Sequence, residues 1–260
     1  MSALCKIRNL SVTYHGQTIP ALESIDLDII AGERLAIIGE SGSGKSTLAR
    51  TLARLLPPGA TVAGELGWSA EPPPLPGRDF GFIFQDPSSS LNPVLTVGEQ
   101  VAEGARRHLG LSWKAAYARA LEMLEQVHIP EPERALNAFP HQLSGGQRQR
   151  VAIAAALAAK PGLLIADEAT SALDMVVQAE IVSLLDHLVR DAGMTLTFIT
   201  HDIALASGFA DRVAIFKDGR LIETGPTAAI LNSPQEAYTR TLLASHRDLA
   251  TPPLIREVAS

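Results

Sequence analysis

Apolar residues along the chain fall into runs of two kinds. Nearly continuous apolar stretches at positions 35–38 (LAII), 163–166 (LLIA) and 196–199 (LTFI) leave no polar face for water, which predicts strands buried on both sides, as in a parallel sheet. The segment Ile25-Asp26-Leu27-Asp28-Ile29 instead alternates and predicts a strand with one wet face. Over 46–56, 115–127, 151–159 and 176–189 the apolar positions recur at three- and four-residue steps, the helical period. Strand and helix alternate at both ends of the chain, which predicts an α/β fold with a parallel sheet covered by helices. The middle differs. Residues 96–127 are helix-rich and lie between the proline-rich EPPPLPG at 71–77 and IPEPERALNAFP at 129–140, so they read as a helical subdomain inserted into the α/β core.

Length and composition change this picture only at its margins. At 260 residues and 46% hydrophobic content the chain can bury a real core without crosslinks. Its one cysteine, Cys5, allows no disulfide within the chain and no thiolate metal centre. The start, MSALCKIRNLSVTY, does not read as a signal peptide, and the longest apolar run, 151–159 between Arg150 and Lys160, is far short of the ~20 residues that span a bilayer. A reducing cytoplasm is the expected compartment, with any membrane role exercised through a partner. A net charge of −6 argues against broad binding to a nucleic-acid backbone.

The chemistry concentrates in a few places. Gly39-Glu40-Ser41-Gly42-Ser43-Gly44-Lys45-Ser46-Thr47 fits GxxxxGK[ST] between a predicted strand and a predicted helix, the context that pattern requires. Glycines there let backbone N–H groups and a helix N-terminus face phosphate oxygens, Lys45 supplies charge, and Ser46 supplies a Mg²⁺ ligand. Leu143-Ser144-Gly145-Gly146-Gln147 precedes the 151–159 helix; taken alone it is either a capped helix with a glycine turn or a second anion-facing helix end. The strand at 163–166 runs into Asp167-Glu168. Neighbours on a pleated strand face opposite ways, so Asp167 is expected toward Mg²⁺ and Glu168 toward an attacking water, although an acidic strand end is often merely solvated. Gln85 after 80–84 and His201 after 196–200 also follow predicted strands, and ligands of open parallel sheets bind beyond that edge.

Together, GESGSGKST, the Gln85 segment, LSGGQRQR, LLIADE, SALD at 171–174 and His201 resemble the ATPase subunits of ABC transporters, in that family's order and spacing over nearly the whole chain. The resemblance implies a P-loop NTPase core with a parallel-strand sheet, an N-terminal antiparallel β region and an inserted helical subdomain. It divides the chain into 1–94 with 161–231 as core, 95–160 as helical subdomain, and 232–260 as a short tail. It further implies ATP and Mg²⁺ as cofactors, and a head-to-tail pair sandwiching two ATP molecules between the P-loop of one protomer and the LSGGQ of the other. Carried over by position, Tyr14 resembles the aromatic that stacks on adenine, though an aromatic at a strand end also serves simple packing. Gln85 resembles the residue contacting Mg²⁺ and water that also reports to the membrane partner, and His201 the histidine at the γ-phosphate.

QDPSSSLNP at 85–93 and NSPQEAYTRTLL at 232–243 narrow the resemblance to the oligopeptide, dipeptide and nickel importer ATPases. Ala169 stands where the family usually has proline, and Glu236-Ala237 where that subfamily often has His-Pro. The expected partners are a second ATPase subunit, two membrane permeases and, indirectly, an extracytoplasmic solute-binding protein, with the chain peripheral to the cytoplasmic face of the membrane. The alternative is a soluble ABC-type ATPase acting on DNA or ribosomes; an exporter or lipid-extraction motor is a third.

Overall fold

The structure is a computed structural model describing residues 2–171 and 173–245, the side chains of Ser88 and Ser89 excepted. The tail beyond position 245 and Ala172 of the SALD segment lie outside the described residues.

Strands β1 (Ala3–Thr13) and β2 (Leu22–Ile30) bury alternate residues and pair antiparallel, with Ile7 opposite Leu27 and Leu10 opposite Ile25. Strand β3 (Arg34–Ile38) is apolar after Arg34, and Leu35, Ile37 and Ile38 have no exposed surface. A loop leads from it into helix α1 (Lys45–Leu52), which stops short of the expected position 56. Arg54 takes a left-handed φ of 56° there, and Pro57 then disfavours helix for the residue before it. The chain continues through β4 (Thr61–Trp68), β5 (Phe80–Ile83), α2 (Pro87–Ser90), α3 (Val97–Leu109), α4 (Trp113–Gln126) and α5 (Pro132–Ala135). Helix α6 (Gly145–Leu157), β6 (Leu163–Asp167), α7 (Met175–Asp191), β7 (Thr195–Thr200) and α8 (Ile203–Ser207) follow. The last described elements are β8 (Arg212–Lys217), β9 (Arg220–Pro226), α9 (Thr227–Asn232) and α10 (Ala237–Ser245).

Two compact units form, Met1–Pro73 with Thr195–Ser260, and Pro74–Met194. In the first, β1 lies between β2 and β4, antiparallel to both. Separately, β3 lies between β7 and β8 and parallel to each: Leu35 faces Thr197, Ile37 faces Ile199, and Ile38 faces Ile215. Strand β9 returns antiparallel on β8 through a turn whose two residues, Asp218 and Gly219, both have positive φ, the backbone that a two-residue hairpin of right-handed twist requires. At the entrance to β3 and β8, Arg34 donates to Asp211 at 2.5 Å and Arg212 to Glu33 at 2.8 Å. These pairs register the strand starts at the edge opposite the loop that follows β3.

In the second unit β5 and β6 pair in parallel, Phe80 opposite Leu163 and Ile83 opposite Ala166. Helix α6 packs on α3, α4 and β5. Helix α3 opens on a reciprocal cap between Thr96 and Glu99, closes on Gly110 at φ 67°, and buries Val97, Val101, Ala102 and Ala105. Asp174 caps α7, its carboxylate accepting the N–H groups of Val176 and Val177 at 3.1 and 3.0 Å. This unit is wider than the 95–160 insertion read from sequence, because it takes in β5, β6 and α7. The architecture is α/β with an antiparallel region near the N-terminus, parallel strands and a helical subdomain.

Candidate functional site

In the first unit the glycine loop leaves the C-terminal end of β3 and is walled by backbone. A Cβ on Gly39 would lie 2.2 Å from the Phe216 carbonyl oxygen, and one on Gly44, which also has φ 96°, would lie 2.6 Å from that of Ala21. Only glycine fits either place. Lys45 is 3% exposed, and its ammonium folds back to donate to the carbonyls of Gly39 (2.8 Å) and Glu40 (2.7 Å), with Ser43 Oγ at 3.3 Å. The N-cap of α1 is Gly44, which has no side chain to cap the helix, and such an end suits an anionic oxygen. Ser46 lies in that first turn. Thr47 shares a 3.0 Å hydrogen bond with the Tyr14 hydroxyl, either of which can donate, so the half-buried Tyr14 is tied to the start of α1. Ser41 and Gly42 form the loop's crest, and Ser43 is buried beneath it. His201 is exposed directly after β7, the neighbour of β3, at the same C-terminal edge of these parallel strands.

The second unit holds the carboxylates. Asp167 is the last residue of β6 and is 4% exposed. Glu168 lies beyond the strand with φ 47°. Glu168 thus sits in a left-handed turn outside the strand, and strand pleating, expected to set its direction, does not apply to it. The Gln85 amide, just past β5, donates to Glu168 Oε2 at 3.0 Å. The carbonyl of Glu168 in turn accepts the Ser171 N–H and hydroxyl, both at 3.1 Å. Gln85, Asp167 and Glu168 are thus brought together at the ends of two paired parallel strands.

The signature helix begins earlier than the apolar run suggests. Helix α6 starts at Gly145, with Ser144 as its N-cap: Ser144 Oγ accepts the Gln147 N–H at 3.3 Å, and Gln147 Oε1 accepts the Ser144 N–H at 2.9 Å. Gly145 and Gly146 face α7 and the turn before it, since a Cβ on Gly146 would approach Val177 Cγ1 to 3.1 Å. The sequence reading missed one contact in the first unit. Tyr238 of α10 donates its hydroxyl to Glu40 of the glycine loop at 3.1 Å, and no local pattern joins residues 198 positions apart.

A glycine-walled loop, a buried lysine turned on that loop's own carbonyls and an uncapped helix end fit a polyphosphate. These features define a nucleotide-binding α/β protein of the P-loop class. Residues 22–171 match the family described as ABC transporter, and the chain belongs to that family as one of its ATP-binding domains. It is 46% identical over 93% of its length to the peptidoglycan transport ATP-binding protein YejF of Agrobacterium fabrum, of which it spans 47%. It is 42% identical over 94% of its length to the oligopeptide transport ATP-binding protein OppD of Bacillus subtilis (strain 168), of which it spans 72%. Among solved structures, the ATP-binding cassette MJ0796 in a dimeric post-hydrolysis state bound to ADP and Pi aligns with a TM-score of 0.75 and 35% identity, covering 86% of this chain and 98% of that one. The chain spans about half the length of YejF.

Proposed function

We propose that this chain binds and hydrolyses ATP as one of a pair of subunits that drive uptake of peptide-like solutes through two membrane permeases supplied by an extracytoplasmic binding protein. The observation that carries it is the loop at 39–47, whose glycines pass against neighbouring backbone and whose buried Lys45 ammonium lies within the loop, on the carbonyls of Gly39 and Glu40. The solute class rests on the names of the relatives, which are transport proteins and lend nothing to the DNA or ribosome alternative. Among the described residues no helix is long and apolar enough to cross a membrane. In the proposed reading membrane work falls to partners, and the chain acts at the cytoplasmic face.

In this reading the loop from Gly39 to Thr47 holds the phosphates, and Tyr14 stacks on adenine. Ser46, Gln85 and Asp167 would supply oxygens for Mg²⁺, an ion that keeps mostly phosphate and water ligands. When bound, Mg²⁺ neutralises charge on the phosphate oxygens. Glu168 orients and deprotonates the attacking water, His201 meets the γ-phosphate, and Ser144, Gly145, Gly146 and Gln147 form the helix end offered to the nucleotide of the paired subunit. Residues 95–160 serve as the helical subdomain that carries this signature.

The deciding experiment is nucleotide titration of Lys45→Ala. Loss of its charge-assisted hydrogen bonds, worth about 1.5–3 kcal/mol, predicts ATP affinity lower by roughly 10- to 100-fold in a folded protein. Wild-type affinity in the variant would overturn the reading. Copurification in mild detergent then tests the partners: membrane subunits support the importer, and ribosomal or DNA-repair proteins would reverse it.

A further inference from the structure

Helix α10, the last described, meets the phosphate-binding loop at Glu40, which is held at two points. Its carbonyl accepts from Lys45 at 2.7 Å, and its carboxylate accepts from the Tyr238 hydroxyl at 3.1 Å. Tyr238 is itself fixed from below, with Lys217 Nζ 4.6 Å from its ring centroid, a cation–π contact that also offsets the neighbouring negative charge. The approach to α10 is pinned too: Glu223 of β9 accepts the N–H groups of Gln235 and Glu236 at 2.8 and 3.2 Å, and Arg240 of α10 donates to the carbonyls of Pro234 and Gln235 at 3.0 and 2.8 Å. The β8–β9 turn completes the frame, since the Gly219 N–H donates to the Ser43 carbonyl at 3.2 Å. Burial, and then the Glu40 carboxylate, push the Tyr238 hydroxyl above its ordinary value, so it remains a protonated donor at neutral pH.

A carboxylate within a loop that receives a polyphosphate works against binding unless it is held aside. We propose that Tyr238 is a positioning residue for nucleotide binding: its hydroxyl anchors the Glu40 carboxylate away from the phosphates, so that α10 sets the loop's affinity for ATP. This rests on the reading that the loop binds ATP. With the hydroxyl gone, the carboxylate swings over the loop and repels the ligand across a distance that salt can screen.

The test uses the full chain and a fluorescent ATP analogue with Mg²⁺, titrated at low and high ionic strength into wild type, Tyr238→Phe, Glu40→Gln and the double variant. Tyr238→Phe is expected to weaken binding about three- to tenfold at low salt, with the loss shrinking to about twofold or less at several hundred millimolar salt. With residue 40 an amide there is no charge to hold aside, so the double variant should bind like Glu40→Gln. A merely structural role for Tyr238 predicts the same loss on either background and at either salt, and that outcome overturns the proposal. Unchanged affinity in Tyr238→Phe also overturns it while leaving the ATP reading intact; a wild-type protein that binds no analogue would sink the ATP reading first. Melting temperatures separate a folding defect from a binding one, and should Tyr238→Phe fail to fold, Glu40→Asp takes its place: the shorter carboxylate keeps the charge but loses the Tyr238 hydroxyl, so it should show the same salt-screened loss, and wild-type affinity there overturns the proposal.

Discussion

Gly39→Ala isolates the contact that shapes the phosphate loop. The added Cβ would meet the Phe216 carbonyl oxygen at 2.2 Å, about 1 Å inside the ~3.3 Å at which carbon and carbonyl oxygen normally touch. That oxygen belongs to β8, which is paired with both β3 and β9, so the loop must yield and the sheet does not. Overpacking of this kind costs about 1–3 kcal/mol, against a gain of about 0.4–1 kcal/mol from restricting the unfolded chain. A net loss of about 1–2 kcal/mol lowers the melting temperature of a chain this size by roughly 2–8 °C. The functional loss is larger, because moving binding groups by about 1 Å is worth on the order of 10²-fold. Gly32→Ala is the matched control at the other end of β3: it has φ 75°, and a Cβ added there would have nothing within 4 Å, so it carries backbone strain of about 1–2 kcal/mol and no collision. Thermal melting and ATP-analogue titration of both variants should show similar loss of stability and loss of binding only in Gly39→Ala. Normal ATP affinity in Gly39→Ala, or an equal binding loss in Gly32→Ala, would refute the argument.

Glu168→Gln should lower ATP turnover by roughly 10²–10⁴ while retaining ATP and trapping an ATP-bound dimer on size exclusion, because a glutamine at 168 can still accept from Gln85. Asp167→Asn should instead weaken Mg²⁺-dependent binding; identical phenotypes would remove the division of labour. Ser144→Ala should cost about 0.5–2 kcal/mol by deleting the α6 cap, Ser144→Thr much less, and Ser144→Arg should block turnover with nucleotide binding largely kept, all readable by melting and phosphate release. Burial, reinforced by Asp28, pushes the Cys5 thiol up to about 12, so it should resist a thiol reagent at pH 8 until urea exposes it. Because the unfolded thiol ionises near pH 8.5, the stability this raised value confers is complete below that pH and is lost as pH climbs toward 12; a Cys5→Ala variant with the same alkaline stability profile would contradict this.

Much of the core was legible because its strands are buried on both faces: Leu35, Ile37, Ile38, Leu164 and Ile165 have no exposed surface, and such burial leaves an unbroken apolar run in the sequence. Strand β4 was not legible, since most of its residues are exposed and no alternation marks it. The start of α6 was hidden because a glycine pair and polar residues fill its first turns, and the signal lay in Ser144 and Gln147, whose spacing is that of a reciprocal cap. The phosphate loop could be read from its pattern, but the reason for Gly39 could not, because it depends on a carbonyl of β8. Likewise the turn at Glu168 is a backbone property that alternation rules do not foresee.

That turn limits which residues position 168 can host. With φ at 47°, β-branched side chains are disfavoured there whatever their chemistry, and an alanine swap keeps the left-handed cost that the glutamate already bears while removing the carboxylate. A glutamate-to-alanine experiment at this place therefore removes the carboxylate without relieving the backbone. Glutamine matches the native side chain in length and differs chiefly in charge, whereas glycine relaxes the backbone and removes the carboxylate. Comparing the two apportions the defect between conformation and charge.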